Sequence, residues 1–69
     1  MSKNKAGIGE NIRKYRLQKD MSQDRLSKLA DVAFHTIVKI ESGETPNPTI
    51  ETVRKIADAL GVSIDDLMK

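Results

Sequence analysis

The segment from Ser22 to Gly43 constrains the fold of this chain more than any other stretch of its sequence. Its apolar residues follow a helical period that is interrupted once and then resumes, at Leu26, Leu29, Ala30, Ile37 and Ile40. A β-strand would alternate at every second residue, and one long helix would keep its period throughout, so neither fits. The pattern therefore predicts two short amphipathic helices joined by a tight turn.

Val32 falls in the predicted turn, where its side chain can fill the angle between the two helices. Two helices that meet at such a turn form a helix-turn-helix motif. The outward face of the second helix is then free to enter the major groove of DNA. In this chain that face carries Phe34, His35, Val38 and Lys39. We therefore predict a DNA-binding module.

The length of 69 residues allows one domain with a small core. Tyr15 and Phe34 are the only aromatic residues, so aliphatic side chains must form that core. The chain has no cysteine, which excludes disulfides and thiolate chemistry. It also contains no apolar run of about 18 residues that could cross a membrane. We expect a soluble cytoplasmic protein.

The formal net charge is only +2, but the charged residues are unevenly distributed. Residues 1–20 contain six basic and two acidic side chains, whereas residues 42–69 contain three basic and five acidic ones. This asymmetry fits a chain with one face toward a polyanion and another facing away. It fits an ordinary solvated surface equally well, so charge alone does not decide.

We interpret residues 1–6 as a flexible N-terminal arm and residues 7–69 as a single helix-turn-helix domain. Five helices are predicted in this domain, the first of them from Gly7 to Lys19. Because the loops between them are short, the predicted fold class is all-α, a compact five-helix bundle.

Capping residues mark the ends of these helices. Ser22 and Thr49 are suited to cap helices two and four, whereas Ala33 offers helix three no side-chain cap. Ser63 and Asp66 match a capping box at the start of helix five. The first four helices are expected to end at Asp20, Asp31, Gly43 and Gly61, with the two aspartates in the left-handed region.

The chain resembles the lambdoid phage repressor and Cro-type helix-turn-helix family, also called the xenobiotic-response-element family. The similarity lies in the run SQDRLSKLADVAFHTIVKIESGETPNPTIETVRKIADALGVSIDDL and extends from Ile8 to Leu67. The resemblance implies an operator-binding domain that places its second motif helix in the major groove.

The resemblance places Gln23 at the glutamine with which the family anchors a phosphate. Amide groups at a helix N-terminus favour an anion at that point, and the Ser22 hydroxyl can add a contact. Further phosphate contacts are expected from Arg13, Arg25, Thr45 and Asn47. The alternative is that Gln23 is only a residue of the first helical turn.

Arg16 and Glu41 match the family's buried ion pair, which joins the first helix to the end of the third. Its implied role is structural, because it orients the helix that reads DNA. Removing one partner of a buried pair leaves the other charge without compensation.

The base-reading positions implied by the resemblance are Ala33, Phe34, His35, Thr36, Val38 and Lys39. The sequence departs from the family here, because several positions that are commonly polar are apolar. Lys39 can donate to guanine, whereas Phe34 and Val38 offer only apolar contact, for which the thymine methyl is the natural target. We hypothesise a half-site with a thymine beside a step that contains guanine. Three alternatives remain open: Phe34 packs into its own domain, His35 is an ordinary surface residue, and Lys39 contacts a phosphate or solvent.

The family's dimer contact lies at the last helix and the loop before it, here Val62, Ile64, Leu67 and Met68. A two-fold dimer would place its reading helices about 34 Å apart and bind a pseudo-palindromic operator. The alternative is that all four residues belong to the core of one domain.

Residues that support catalysis or metal binding are not evident. One histidine without cysteine cannot form a zinc site, and Gly7 and Gly9 lack the setting of a phosphate-binding loop. Asp65 and Asp66 are interpreted as partners of a helix dipole rather than as a catalytic pair. We expect no enzyme activity, no cofactor and no small-molecule ligand.

These observations favour a sequence-specific, DNA-binding transcriptional regulator that acts as a homodimer in a bacterium or phage. It would be of the repressor type or of the restriction-modification controller type. The alternatives are an antitoxin or a protein-interaction module on the same scaffold, since a fold does not dictate a function.

Overall fold

Five helices form the part of the chain that the computed structural model describes, residues 7–69. They are α1 (Ile8–Gln18), α2 (Gln23–Ala30), α3 (Phe34–Ser42), α4 (Ile50–Leu60) and α5 (Ile64–Met68). No strand occurs among these residues, so the prediction of an all-α fold with five helices is confirmed. The flexible arm expected at residues 1–6 lies outside the described residues.

The predicted helix ends occur where the sequence places them. Asp20 and Asp31 follow α1 and α2 with φ values of 55° and 58°, in the left-handed region. Gly43, with φ at 88°, ends α3 in the same region. An L-residue with a side chain avoids this conformation, although Asp tolerates it better than most. The chain therefore turns sharply after each of these helices, which keeps the connections short.

Three of the helices begin with a side-chain cap. The Ser22 hydroxyl accepts a hydrogen bond from the Arg25 amide at 3.0 Å, and the Thr49 hydroxyl accepts one from the Thr52 amide at 3.2 Å. Ser63 and Asp66 form the predicted capping box at α5. Hydrogen bonds from Ser63 lower the pKa of the Asp66 carboxyl group. The bond from the Ser63 backbone amide has the larger effect, and the bond from its hydroxyl has the smaller one.

All five helices contribute to one aliphatic core. α1 packs against α3 and α5, while α2 packs against α3 and α4. The buried apolar residues are Ile12, Leu26, Ala30, Ile37, Ile40, Val53, Ile56, Ala57, Leu60 and Leu67. No helix among residues 7–69 is long and apolar enough to cross a membrane.

Leu29 does not belong to this core, although its spacing predicted that it would. It is 51% exposed, whereas Leu26, Ser27 and Ala30 of the same helix are buried. At about 100° per residue, the three buried positions share one face of α2, and Leu29 lies about 100° from the middle of that face. The polar Ser27 is buried on this face instead, and its hydroxyl donates a hydrogen bond to the Asp24 carbonyl at 2.7 Å.

α5 is fastened to α1 by one buried hydrogen bond. The side-chain amide of Asn11 donates to the carbonyl oxygen of Leu67 at 2.8 Å. Asn11 is only 6% exposed and Leu67 is completely buried. The last helix, which has only five residues, is thus held by both a core side chain and a backbone carbonyl.

Gly9 lies where the backbones of α1 and α3 approach most closely. A Cβ at this position would collide with the carbonyl oxygen of Ile40 and lie 3.0 Å from the Cα of Glu41. Both are backbone atoms, so neither can move aside as a flexible side chain would. The absence of a side chain at Gly9 therefore sets how closely α3 packs against the rest of the protein.

We expect Gly9→Ala to destabilise the fold by at least about 1–3 kcal/mol, the usual cost of overpacking a tight contact. Alanine is otherwise preferred over glycine within helices by about 0.5–1 kcal/mol, so any net loss comes from the collision. Gly7→Ala is the matched control, because a Cβ there meets no atom within 4 Å. Urea unfolding measures both, and equal effects of the two substitutions would contradict this account of α1–α3 packing.

Candidate nucleic-acid interface

The turn between α2 and α3 fixes the angle at which α3 crosses the domain. Asp31 ends α2 in the left-handed region, and the Val32 amide donates to the Ser27 carbonyl at 3.0 Å. Val32 is half-buried and packs against the core, as the sequence predicted for a residue that fills the angle. α3 then buries Ile37 and Ile40, so its opposite side faces solvent.

The outer face of α3 carries the proposed base-reading residues. Phe34 is 43% exposed. The interpretation in which Phe34 completes the core of its own domain is therefore wrong. Ala33, His35 and Lys39 are exposed, while Thr36 and Val38 are half-buried. Ala33 precedes α3 and provides no side-chain cap, as predicted.

The two rings of this face touch each other. The centroids of Phe34 and His35 lie 6.1 Å apart with an angle of 63° between the ring planes. This is an edge-to-face arrangement, which aromatic pairs prefer over parallel stacking. The contact places the two rings next to each other on the first turn of α3.

Arg16 and Glu41 form a two-pronged ion pair behind α3. The Arg16 Nε donates to Glu41 Oε2 at 2.7 Å, and its Nη2 donates to Glu41 Oε1 at 3.0 Å. The third guanidinium nitrogen, Nη1, donates to the Met21 carbonyl at 2.7 Å. The exposed fractions of the two side chains are only 10% and 4%. The pair therefore joins α1, the start of α2 and the end of α3 away from solvent.

Gln23 is the third member of this network. Its side-chain Nε2 donates to Glu41 Oε1 at 3.1 Å, so one carboxylate receives hydrogen bonds from both α1 and α2. An amide group has two N–H donors, and this bond uses one of them. The side chain of Gln23 is thereby held in one orientation at the first turn of α2.

Ser22, Gln23 and Arg25 lie together at the N-terminus of α2. The Ser22 hydroxyl caps the helix, and Ser22, Arg25 and Lys19 line the same shallow hollow on the surface. Arg25 forms no ion pair within residues 7–69, where the exposed pairs are Lys28 with Asp24 and Lys69 with Asp66. This end of α2 thus combines a helix dipole, a hydroxyl, an oriented amide and basic side chains, which together suit a phosphate.

The other proposed phosphate contacts lie elsewhere on the surface. Arg13 lies on α1 beside Lys14, and both line a separate hollow. Thr45 follows α3 and is half-buried, its amide donating to the Lys39 carbonyl at 3.0 Å. Asn47 is exposed. Within residues 7–69, no hydrogen bond or ion pair connects Arg13, Thr45 or Asn47 to the group at the start of α2.

The proposed dimer surface contains one residue that cannot take part. Leu67 is completely buried in the core of its own domain, so its assignment to an interface is wrong. Leu67 occupies the inner side of a five-residue helix whose backbone is held by Asn11, so it cannot turn outward. Val62 and Ile64 are half-buried against the same core, and Met68 is 60% exposed. The accessible apolar surface at this end is thus smaller than the sequence suggested.

Two structurally decisive residues, Gly9 and Asn11, were not identified from the sequence. Asn11 occupies a buried position of α1, one residue before Ile12, where an apolar residue would be the usual choice. A polar residue beside an apolar stripe is the only sequence signal, and it does not reveal a carbonyl partner that lies 56 positions away. No cluster of three or more potential metal ligands occurs among residues 7–69.

α2 and α3 are two short helices joined by a tight turn, and α3 has one face in the core and one in solvent. This arrangement defines a helix-turn-helix protein. The family model described as helix-turn-helix matches residues 12–67 of the chain. The chain belongs to this family, in its lambda repressor and Cro-like branch.

Two relatives illustrate the similarity. The chain is 34% identical over 61 residues to the HTH-type transcriptional regulator SinR of Bacillus subtilis (strain 168). The matched region covers 88% of this chain and 55% of SinR. It is 39% identical over 62 residues to the control protein C.BamHI of Bacillus amyloliquefaciens. The matched region covers 88% of this chain and 75% of that protein. The chain thus spans about half the length of SinR.

A solved structure supports the same placement. The crystal structure of SinR in complex with DNA superposes on the chain with a TM-score of 0.84 at 35% sequence identity. The match covers 87% of this chain and 95% of that one.

We expect Arg16→Met to cost about 3–5 kcal/mol of folding free energy, because it leaves the buried Glu41 carboxylate without its main partner. The double variant Arg16→Met/Glu41→Leu should be more stable than Arg16→Met alone, since no buried charge remains. Lys28→Met removes an exposed ion pair with Asp24 and should cost at most about 0.5 kcal/mol. Thermal and urea unfolding measure all three, and a double variant that is no more stable than Arg16→Met alone would contradict the coupling.

Proposed function

We propose that this chain is a sequence-specific, DNA-binding transcriptional regulator of the repressor or controller type. The single observation that carries the proposal is the division of α3 into two faces. Ile37 and Ile40 are fixed in the core, whereas Phe34, His35 and Lys39 face solvent. A helix anchored in this way can lie in the major groove without unfolding any part of the domain.

The groups at the start of α2 provide the matching contact to the DNA backbone. In this proposal Ser22, Gln23 and Arg25 bind one phosphate region, while Glu41 orients the Gln23 amide. Glu41 is also part of α3, so the same carboxylate fixes the anchor relative to the reading helix. Arg13, Thr45 and Asn47 would contact phosphates further along the duplex. Such contacts position the protein but carry no sequence information.

The relatives support this proposal because SinR binds DNA and shares the backbone arrangement of the chain. The proposed base contacts are made by Ala33, Phe34, His35, Thr36, Val38 and Lys39. We further propose that the protein acts in the cytoplasm without a cofactor, and that it has no catalytic activity.

We expect Arg25→Gln to weaken binding to all duplexes alike and to reduce the steepness of the salt dependence. Each phosphate that a basic side chain neutralises contributes about 0.9 to the slope of log K against log salt. Gln23→Met should also weaken all duplexes alike but leave the slope unchanged, because glutamine is neutral.

Lys39→Met should instead relax the preference at one base pair if Lys39 contacts a base.

The measurement is selection from a randomised duplex pool, followed by titration of the selected and a scrambled duplex at several salt concentrations. Arg54→Gln is the matched control for Arg25→Gln, because Arg54 is an exposed arginine of α4 outside the proposed interface. Absence of any DNA affinity at low salt would overturn the proposed function and favour a protein-interaction module. The apolar reading face is the observation that keeps this second function open.

We propose that the regulator binds as a two-fold dimer through the end that carries Val62, Ile64 and Met68. A dimer would place two reading helices about one helical turn of DNA apart, at about 34 Å.

We expect Met68→Asp to shift the protein toward monomer, because it places a charge in the proposed apolar contact. Leu29→Asp is the control for the measurement without DNA, since Leu29 is similarly exposed but lies on α2. Sedimentation with and without operator DNA measures both, and a monomer that binds a single half-site would contradict the dimer.

A further inference from the structure

The reading face of α3 presents an apolar strip in a place where hydrogen-bonding side chains would be expected. Phe34 is the first residue of the helix, and Val38 follows one turn later on the same side. Ala33, which is exposed and apolar, immediately precedes the helix. These three side chains have no hydrogen-bond donor or acceptor. Whatever they recognise on a base pair must therefore be apolar.

Two features orient the strip. Phe34 lies edge to face against the ring of His35, with 6.1 Å between the centroids. Val38 is β-branched and has one strongly preferred rotamer in a helix. Ile37, on the inner side of α3, is completely buried and Ile40 is 1% exposed, so the core determines which face of α3 is turned outward. An apolar face with a fixed direction can respond to the presence of a single methyl group.

Among the four DNA bases, only thymine carries an apolar group at the major-groove edge, its methyl at C5. Cytosine methylated at C5 carries the same group at the same ring position. Uracil and unmodified cytosine lack it. An apolar strip that makes no hydrogen bond to the neighbouring ring substituent would respond to the methyl itself rather than to the identity of the base.

We propose that Phe34 and Val38 form a reader of the C5-methyl group of pyrimidines in the major groove. This inference rests on the proposed function, because it requires that α3 lie in the groove. It adds that one operator position is recognised as a methylated pyrimidine, so thymine and 5-methylcytosine are both accepted there. Methylation of a cytosine at that position would consequently strengthen binding.

The size of the effect follows from burying one methyl group. About 0.8 kcal/mol per buried methylene-sized group corresponds to about fourfold in Kd. His35 and Lys39, whose side chains bear polar groups, are expected to contribute independently of the methyl. The methyl effect should also be the same at low and high salt, because no charge is involved.

The experiment begins with the duplex selected by the unmodified protein. Each thymine of a half-site is replaced in turn by uracil, which removes only the methyl group. We expect about a fourfold loss of affinity at one or two adjacent positions and none at the others. At the sensitive position, 5-methylcytosine should bind about fourfold better than cytosine, because these two bases differ only by the methyl group.

Phe34→Ala should bind the thymine and uracil duplexes equally, while Phe34→Leu should retain part of the difference. Leu29→Ala is the matched control, because Leu29 is an exposed apolar residue on α2, outside the reading face. Phe34 is exposed, so circular dichroism should show an unchanged fold for both of its variants.

The outcomes separate this inference from the proposed function. If the protein binds no duplex at low salt, the proposed function itself is overturned. If it binds the selected duplex with a normal salt slope but ignores uracil at every position, the methyl reader is overturned and the proposed function stands. If the uracil effect persists in Phe34→Ala, the assignment to Phe34 is overturned. If 5-methylcytosine binds no better than cytosine, recognition of methylated cytosine is overturned.

Discussion

The buried pair between Arg16 and Glu41 is the interaction on which the rest of the structure depends. It joins three helices that share little other polar contact, because the guanidinium also reaches the Met21 carbonyl before α2. Charged groups this well buried are tolerated only when their hydrogen bonds are satisfied. Here every nitrogen of the guanidinium has a partner, and the carboxylate receives a further bond from Gln23. The relative positions of α1, α2 and α3 are thereby fixed together.

The same arrangement links stability to recognition. Gly9 allows α3 to approach α1 at backbone distance, and Glu41 lies at that point of closest approach. The Glu41 carboxylate also accepts a hydrogen bond from the side-chain amide of Gln23 on α2, which we propose binds a phosphate. The anchor and the reading helix are thus parts of one rigid unit. Rigidity of this kind favours recognition, because little conformational freedom remains to be lost on binding.

The chemistry of the reading face departs from what the rest of the domain suggests. Its scaffold is that of a family whose members commonly read bases through polar side chains, yet Phe34 and Val38 offer only carbon. The chain has two aromatic residues, and one of them, Phe34, lies exposed on α3. The major groove provides one apolar group that fits it.

The sequence by itself determined the number of helices, their caps and most of the core, because these depend on residues within a few positions of one another. The left-handed Asp31 and the capping box at Ser63 are local features that any reader of the chain can find. Only the tertiary structure decided that Leu29 faces solvent and that Leu67 does not. Which side of a short helix is buried depends on the neighbours it meets, and for α5 that neighbour is Asn11, at the other end of the chain.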